Sequence, residues 1–175
     1  MRFGLVTALC VAWFAAASPA QADVLNFAAE LNGGQHPTNT GSTATGSGSI
    51  TVDTAEQSID VFLRVEGIGL DALWDHVIHS GMGPVHLRLY AANGDISLLV
   101  PFVYGPAYAQ EGENGFTLML ADYAYADGAA VLGSATTFEQ FVAVLGSEFV
   151  YLNVHTDAFN DGEISGRLVP APTER

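Results

Sequence analysis

From residue 24 onward, apolar and polar residues mostly alternate with a period of two, the pattern of strands with one buried face. The alternation predicts strands over 24–31, 49–52, 59–65, 85–90 and 116–120, and again over 148–156 and 163–169. Residues 96–103 form a nearly continuous apolar strand. Pro101 within it predicts an edge or a bulge, because proline has no N–H for a ladder. The Gly/Ser/Thr-rich stretch 32–49 reads as a loop in its first half and, over 43–49, as the start of a strand of small residues. Turn residues sit where the chain must reverse. A turn at 53–56 joins 49–52 to 59–65, Asn93-Gly94 suits the positive φ of a hairpin between 85–90 and 96–103, and Asn160-Asp161-Gly162 closes the last pair.

The period changes to 3.6 once. Phe138, Phe141, Val142 and Leu145 fall at i, i+3, i+4 and i+7. Thr136 and Glu139 have capping-box spacing before them, and Gly146 is placed to stop the helix. Seven or more strands around one short connecting helix predict an all-β fold, an antiparallel Greek-key β-sandwich. No second shift of composition marks another domain. The expected organisation is a sandwich over 23–169 and a frayed tail over 170–175. Within the sandwich, 104–130 reads as a long irregular region. Its Tyr104, Tyr108, Tyr123 and Tyr125 suit either a ligand or glycan groove or simple rim packing.

The first 22 residues follow another logic. Arg2 precedes an apolar run over 5–17, too short for a membrane span, and Ala20-Gln21-Ala22 is an A-x-A cleavage pattern. Residues 1–22 are therefore expected to be a secretory signal peptide, and the protein to be exported, to the periplasm or the extracellular medium. Cys10 lies inside this segment, so the mature chain has no cysteine and no disulfide. No later stretch is long and apolar enough to cross a membrane. The 175 residues carry 19 acidic and 5 basic side chains, no lysine, and a net charge of −14. Removing Arg2 with the signal leaves 19 against 4, or −15. Such a balance excludes binding to nucleic acid or to anionic lipid by charge.

The C-terminal third carries a resemblance. Tyr151-Leu152-Asn153-Val154-His155-Thr156, followed by Gly162-Glu163-Ile164-Ser165-Gly166-Arg167-Leu168, resembles the closing signature of the CHRD domain, the module named after chordin. Leu31-Asn32-Gly33-Gly34-Gln35, Thr43-Ala44-Thr45-Gly46-Ser47-Gly48, Val85-His86-Leu87-Arg88 and Asn93-Gly94 resemble further family motifs, in order. The resemblance implies an exported, immunoglobulin-like sandwich. It also implies a non-enzymatic interaction module with a macromolecular or glycan partner, loops 68–84 and 104–134 forming the variable surface. Two positions depart from the family pattern. The family's H-x-H is His86-x-Arg88 here, and its opening E-V-P-P is His36-Pro37.

A metal site is the alternative. His86 and His155 fall on strands that the family pattern brings together, and His76 and His79 form an i, i+3 pair just upstream. Such imidazoles suit copper or zinc. Arg88, two residues from His86 on the same strand face, opposes a cation there. A reading as a superoxide-dismutase-like redox protein would need four imidazoles on copper and a bridging histidine, which the broken H-x-H does not supply. There is no nucleophile motif: Ser80 and Ser134 lie outside any G-x-S-x-G context. Asp157, Asn160, Asp161 and Glu163 crowd one loop in a pattern that suits Ca²⁺, but turn chemistry already accounts for them.

Overall fold

A computed structural model describes residues 23–132 and 136–172. The expected signal peptide, residues 1–22, lies outside them. Ten strands and three short helices follow in order: β1 (Val24–Asn32), β2 (Thr45–Asp53), β3 (Ser58–Glu66), α1 (Asp75–Ile78), β4 (Val85–Tyr90), β5 (Ile96–Phe102), β6 (Tyr108–Gln110), β7 (Gly115–Ala124), α2 (Tyr125–Leu132), α3 (Phe138–Leu145), β8 (Val150–Val154), β9 (Ile164–Arg167) and β10 (Val169–Pro170). Every ladder is antiparallel. The all-β antiparallel fold expected from the alternation is therefore the observed one.

The strands form a single hydrogen-bonded path, β5-β4-β8-β9-β1-β2-β3-β7-β6, with β10 beside β1. The sheet curls until its two halves face each other, as the layers of a sandwich do. Gly48 on β2 shows this directly: a Cβ there would stand 2.9 Å from Leu152 Cδ2 on β8, three places away along the path. Small residues in β2 thus make room for the opposite layer, which is why that strand lacks the apolar bulk of its neighbours. β3 shows the alternation most plainly, with Ile59, Val61, Leu63 and Val65 buried and the residues between them turned outward. These side chains meet Val85 and Leu87 of β4 and Leu152 and Val154 of β8 in one core.

The expected hairpins form. β2 pairs with β3, β4 with β5 and β8 with β9, and Gly94 and Gly162 take φ of 90° and 120° in two of the turns. Pro101 lies on β5, at one end of the path, and the β4–β5 register shifts between Leu87 and Arg88. α3 is the expected helix, but its capping box is one residue later than Thr136/Glu139. Thr137 Oγ1 accepts from the Gln140 amide, and Gln140 Oε1 accepts from the Thr137 amide. Phe138 can then enter the first turn and bury its ring beside Tyr125.

Two segments hold more structure than their composition suggests. Residues 70–78 contain a 3-10 turn and α1, and 104–130 contains β6, all of β7 and most of α2. Alanine and glycine hide the period there. The four tyrosines of this region are engaged in packing: Tyr104 lies against Tyr108 with ring centroids 5.0 Å apart. Tyr108 and Tyr125 are buried, and the hydroxyls of Tyr108, Tyr123 and Tyr125 donate to the carbonyls of Phe102, Pro101 and Thr136. Near the expected tail, Val169 and Pro170 pair with Ala28 and Phe27 of β1, and residues 173–175 lie outside the described ones.

Candidate functional site

The strand pleat divides β4 and β8 into two faces. Val85 and Leu87 point into the core opposite Val154 and Leu152, while His86 stands opposite Asn153 and Arg88 opposite Tyr151 on the other face. β9 continues this second face with Ser165 beside Asn153. A face so polar would normally meet water. Here His86, Asn153, His155 and Ser165 are 0% exposed, because two loops, 33–42 and 157–163, lie across it.

Hydrogen bonds fix both loops. Thr38 and Ser165 share a hydroxyl–hydroxyl bond of 3.1 Å, and the Thr40 hydroxyl donates to the Glu163 carbonyl at 2.7 Å. The Glu163 carboxylate takes one hydroxyl from each side, from Ser42 at 2.6 Å and from Thr156 at 2.7 Å. His36 packs its ring against Tyr90 and Tyr151. The crowded loop over 157–163 is thus a turn and a clamp. Asp157 accepts the Asp75 amide, and Glu163 is spent on the hydroxyls.

Beneath the loops the two imidazoles sit with ring centroids 4.6 Å apart. Their partners set their tautomers. His86 Nε2 faces the Met82 carbonyl at 3.1 Å and must carry a hydrogen, which leaves Nδ1 to face Arg88 Nη2 at 3.5 Å. His155 Nδ1 faces the Asn160 carbonyl at 2.9 Å, so its hydrogen is there and Nε2 is a bare lone pair. Burial, the neighbouring His155 and the Arg88 cation lower the His86 pKa to about 3. Burial and Arg88 lower that of His155 to about 4. Both rings are neutral at pH 7. His155 Nε2, Asn153 Oδ1 and Arg88 Nε are buried without a hydrogen-bond partner among the described residues.

The structure brings together two of the four histidines that the sequence offered as metal ligands. His76 lies on α1 and His79 caps its C-terminal end, both at the surface. His76 rests against Trp74, and His79 pairs with Asp75 at 3.4 Å with both side chains about three-quarters exposed. Among the described residues, no three or more His, Cys, Asp or Glu side chains are grouped to hold a metal ion.

Above the pair, on the solvent side of Arg88, opens a cleft of about 740 Å³. Its walls are the 36–40 loop, the β4–β5 hairpin from Tyr90 to Ile96, and the 158–162 loop. The architecture matches a known module: a family model, the CHRD domain, covers residues 27–168. The chain belongs to the CHRD domain family. No curated protein and no solved structure matched it. In this CHRD domain, the histidines were legible in the closing motif, whereas the cleft was not. Its residues come from three segments far apart in sequence, joined because β4, β8, β9 and β1 are successive neighbours in the sheet. Arg88 had been visible as a departure from H-x-H, and its position in the cleft wall is the feature that the sequence did not disclose.

Proposed function

We propose that this CHRD domain is an exported, non-enzymatic binding module whose ligand seat is the cleft over β4. Family membership supports an interaction role, and the pattern of residues 1–22 supports export. The observation that carries the seat is the bracing of the cleft. Its two loop walls are tied to one another through Glu163, Thr40, Thr38 and Ser165 before any ligand arrives. A seat ordered in advance loses little entropy on binding. Recognition rather than reaction suits the groups present, since the imidazoles are neutral and sealed under the loops. Amide chemical shifts read during titration with a fragment collection of sugars, amino acids and organic acids test the seat. Concerted shifts in 36–40, 90–96 and 158–162 are expected; hits that move only other surfaces would remove the cleft from the proposal.

A second reading, a copper or zinc protein, draws on one observation, the bare Nε2 of His155 beside His86. Arg88 works against it, as a cation within reach of His86 Nδ1. Calorimetric titration with copper and with zinc tests this reading. Stoichiometric binding that is lost in both His86→Ala and His155→Ala would establish it; no heat at micromolar metal would end it.

A further inference from the structure

The described residues include three arginines. Arg64 holds Glu66 at 3.4 Å and Glu111 at 2.9 Å, and Arg167 holds Glu148 at 3.6 Å. Arg88 has no carboxylate partner among the described residues, in a chain where acidic residues outnumber basic ones nearly four to one. It is half-buried, with Nε covered and Nη2 turned toward His86. Arg88 also lines the cleft. An unpaired cation beside two buried neutral rings is costly to the fold, and pairing it would require only one more acid of a kind this chain has in abundance. Such costs are typically retained where a ligand repays them.

The other charges of the cleft limit what that ligand is. Asp95 and Asp161 stand in the same lining as Arg88, one on the hairpin and one on the 158–162 loop. Two acids sharing a cleft with one cation repel a phosphate dianion or a polyanion, and they accept hydrogen bonds from hydroxyl or ammonium groups. A guanidinium fits a carboxylate through parallel N–H···O bonds. We propose that Arg88 is the anion seat of the cleft and that its ligand is a small monocarboxylate whose body carries hydroxyl or ammonium groups. Uronic acids and free amino acids share this chemistry. The inference rests on the cleft being the binding seat.

The test is a chemical-shift titration of the purified protein with D-glucuronate, its uncharged methyl ester, alanine and inorganic phosphate. Glucuronate or alanine, whichever is the source of the carboxylate, is expected to move Arg88 Nε–H and the amides of 90–96, with the ester and phosphate at least about tenfold weaker. Arg88→Gln should lose the carboxylate by about tenfold or more, Arg88→Lys should lose less, and Asp95→Asn, at the exposed rim, should admit phosphate. Asp95→Asn also keeps the test open if the Arg88 variants do not fold. Equal binding of ester and acid would overturn the anion seat while leaving the cleft as the binding site. Phosphate binding as strong as carboxylate in the unmodified protein would overturn the ligand class. No shift in the cleft with any of the four would overturn the seat and the ligand class together.

Discussion

At the scale of single residues, the two sealed histidines make stability depend on pH with a definite sign. Their pKa values are lowered in the fold, to about 3 for His86 and about 4 for His155, from 6.5 in the open chain. Below pH 6.5 the unfolded chain binds protons that the folded one refuses, so stability falls as pH falls. The loss runs down to about pH 4 for His155 and about pH 3 for His86. Each ring contributes a slope approaching about 1.4 kcal/mol per pH unit within its window. Urea unfolding at pH 7.5 and pH 5 should show a lower midpoint at pH 5, and His155→Gln should flatten the difference. An unchanged difference in that variant would mean that other groups carry it. Glu163 gives a second prediction at this scale. Glu163→Ala strips the acceptor from both Ser42 and Thr156, and a loss of about 2–3 kcal/mol in urea unfolding is expected. Hydrogen exchange should quicken in 38–42 ahead of the core. The sequence named both histidines, because the closing motif holds one and the strand alternation the other. It could not show that they are covered, since one of the two covering loops, 33–42, comes from more than 40 residues away along the chain.

Among the elements, those with regular period were legible and those built from small residues were not. β3 and α3 announce themselves by the spacing of large apolar groups. β6, α2 and the far half of β7 are written mostly in alanine, glycine and tyrosine, where neither period rises above the background. The capping box of α3 shows how fine the residual ambiguity is. Thr136 and Thr137 are equivalent as caps, and the burial of Phe138 decides between them. Thr137→Ala should therefore cost about 1 kcal/mol, while Thr136→Ala should leave the helix in place; thermal melts of the two variants make the comparison. At β2 the opposite change is informative. Gly48→Val puts a side chain against Leu152 across the layers, and a loss of about 1–3 kcal/mol from overpacking is expected. A neutral outcome would mean that the two halves of the sheet close less tightly than the 2.9 Å approach requires.

For the whole molecule, charge sets the conditions under which these smaller contributions are observed. A net charge of −14 on 175 residues is self-repulsive at low ionic strength. Screening shortens from about 10 Å at 0.1 M salt to about 3 Å at 1 M. The urea midpoint should rise between 20 mM and 1 M sodium chloride, and a midpoint that fell would assign more of the stability to ion pairs such as Arg64–Glu111 than to burial. Among the described residues no helix is long and apolar enough to cross a membrane. The order of the strands also governs how the chain reaches this state. β1 lies between β9 and β2 and also borders β10, so the strand made first has on one flank the two made last. During synthesis from the N-terminus, β1 can dock with β2 and β3 early, yet its other flank stays bare until residue 170 has emerged. Such long-range closure slows folding. A chain stopped short of β9 would present that open flank to any neighbouring strand, so the last few residues determine whether the nascent protein assembles within itself or with its neighbours.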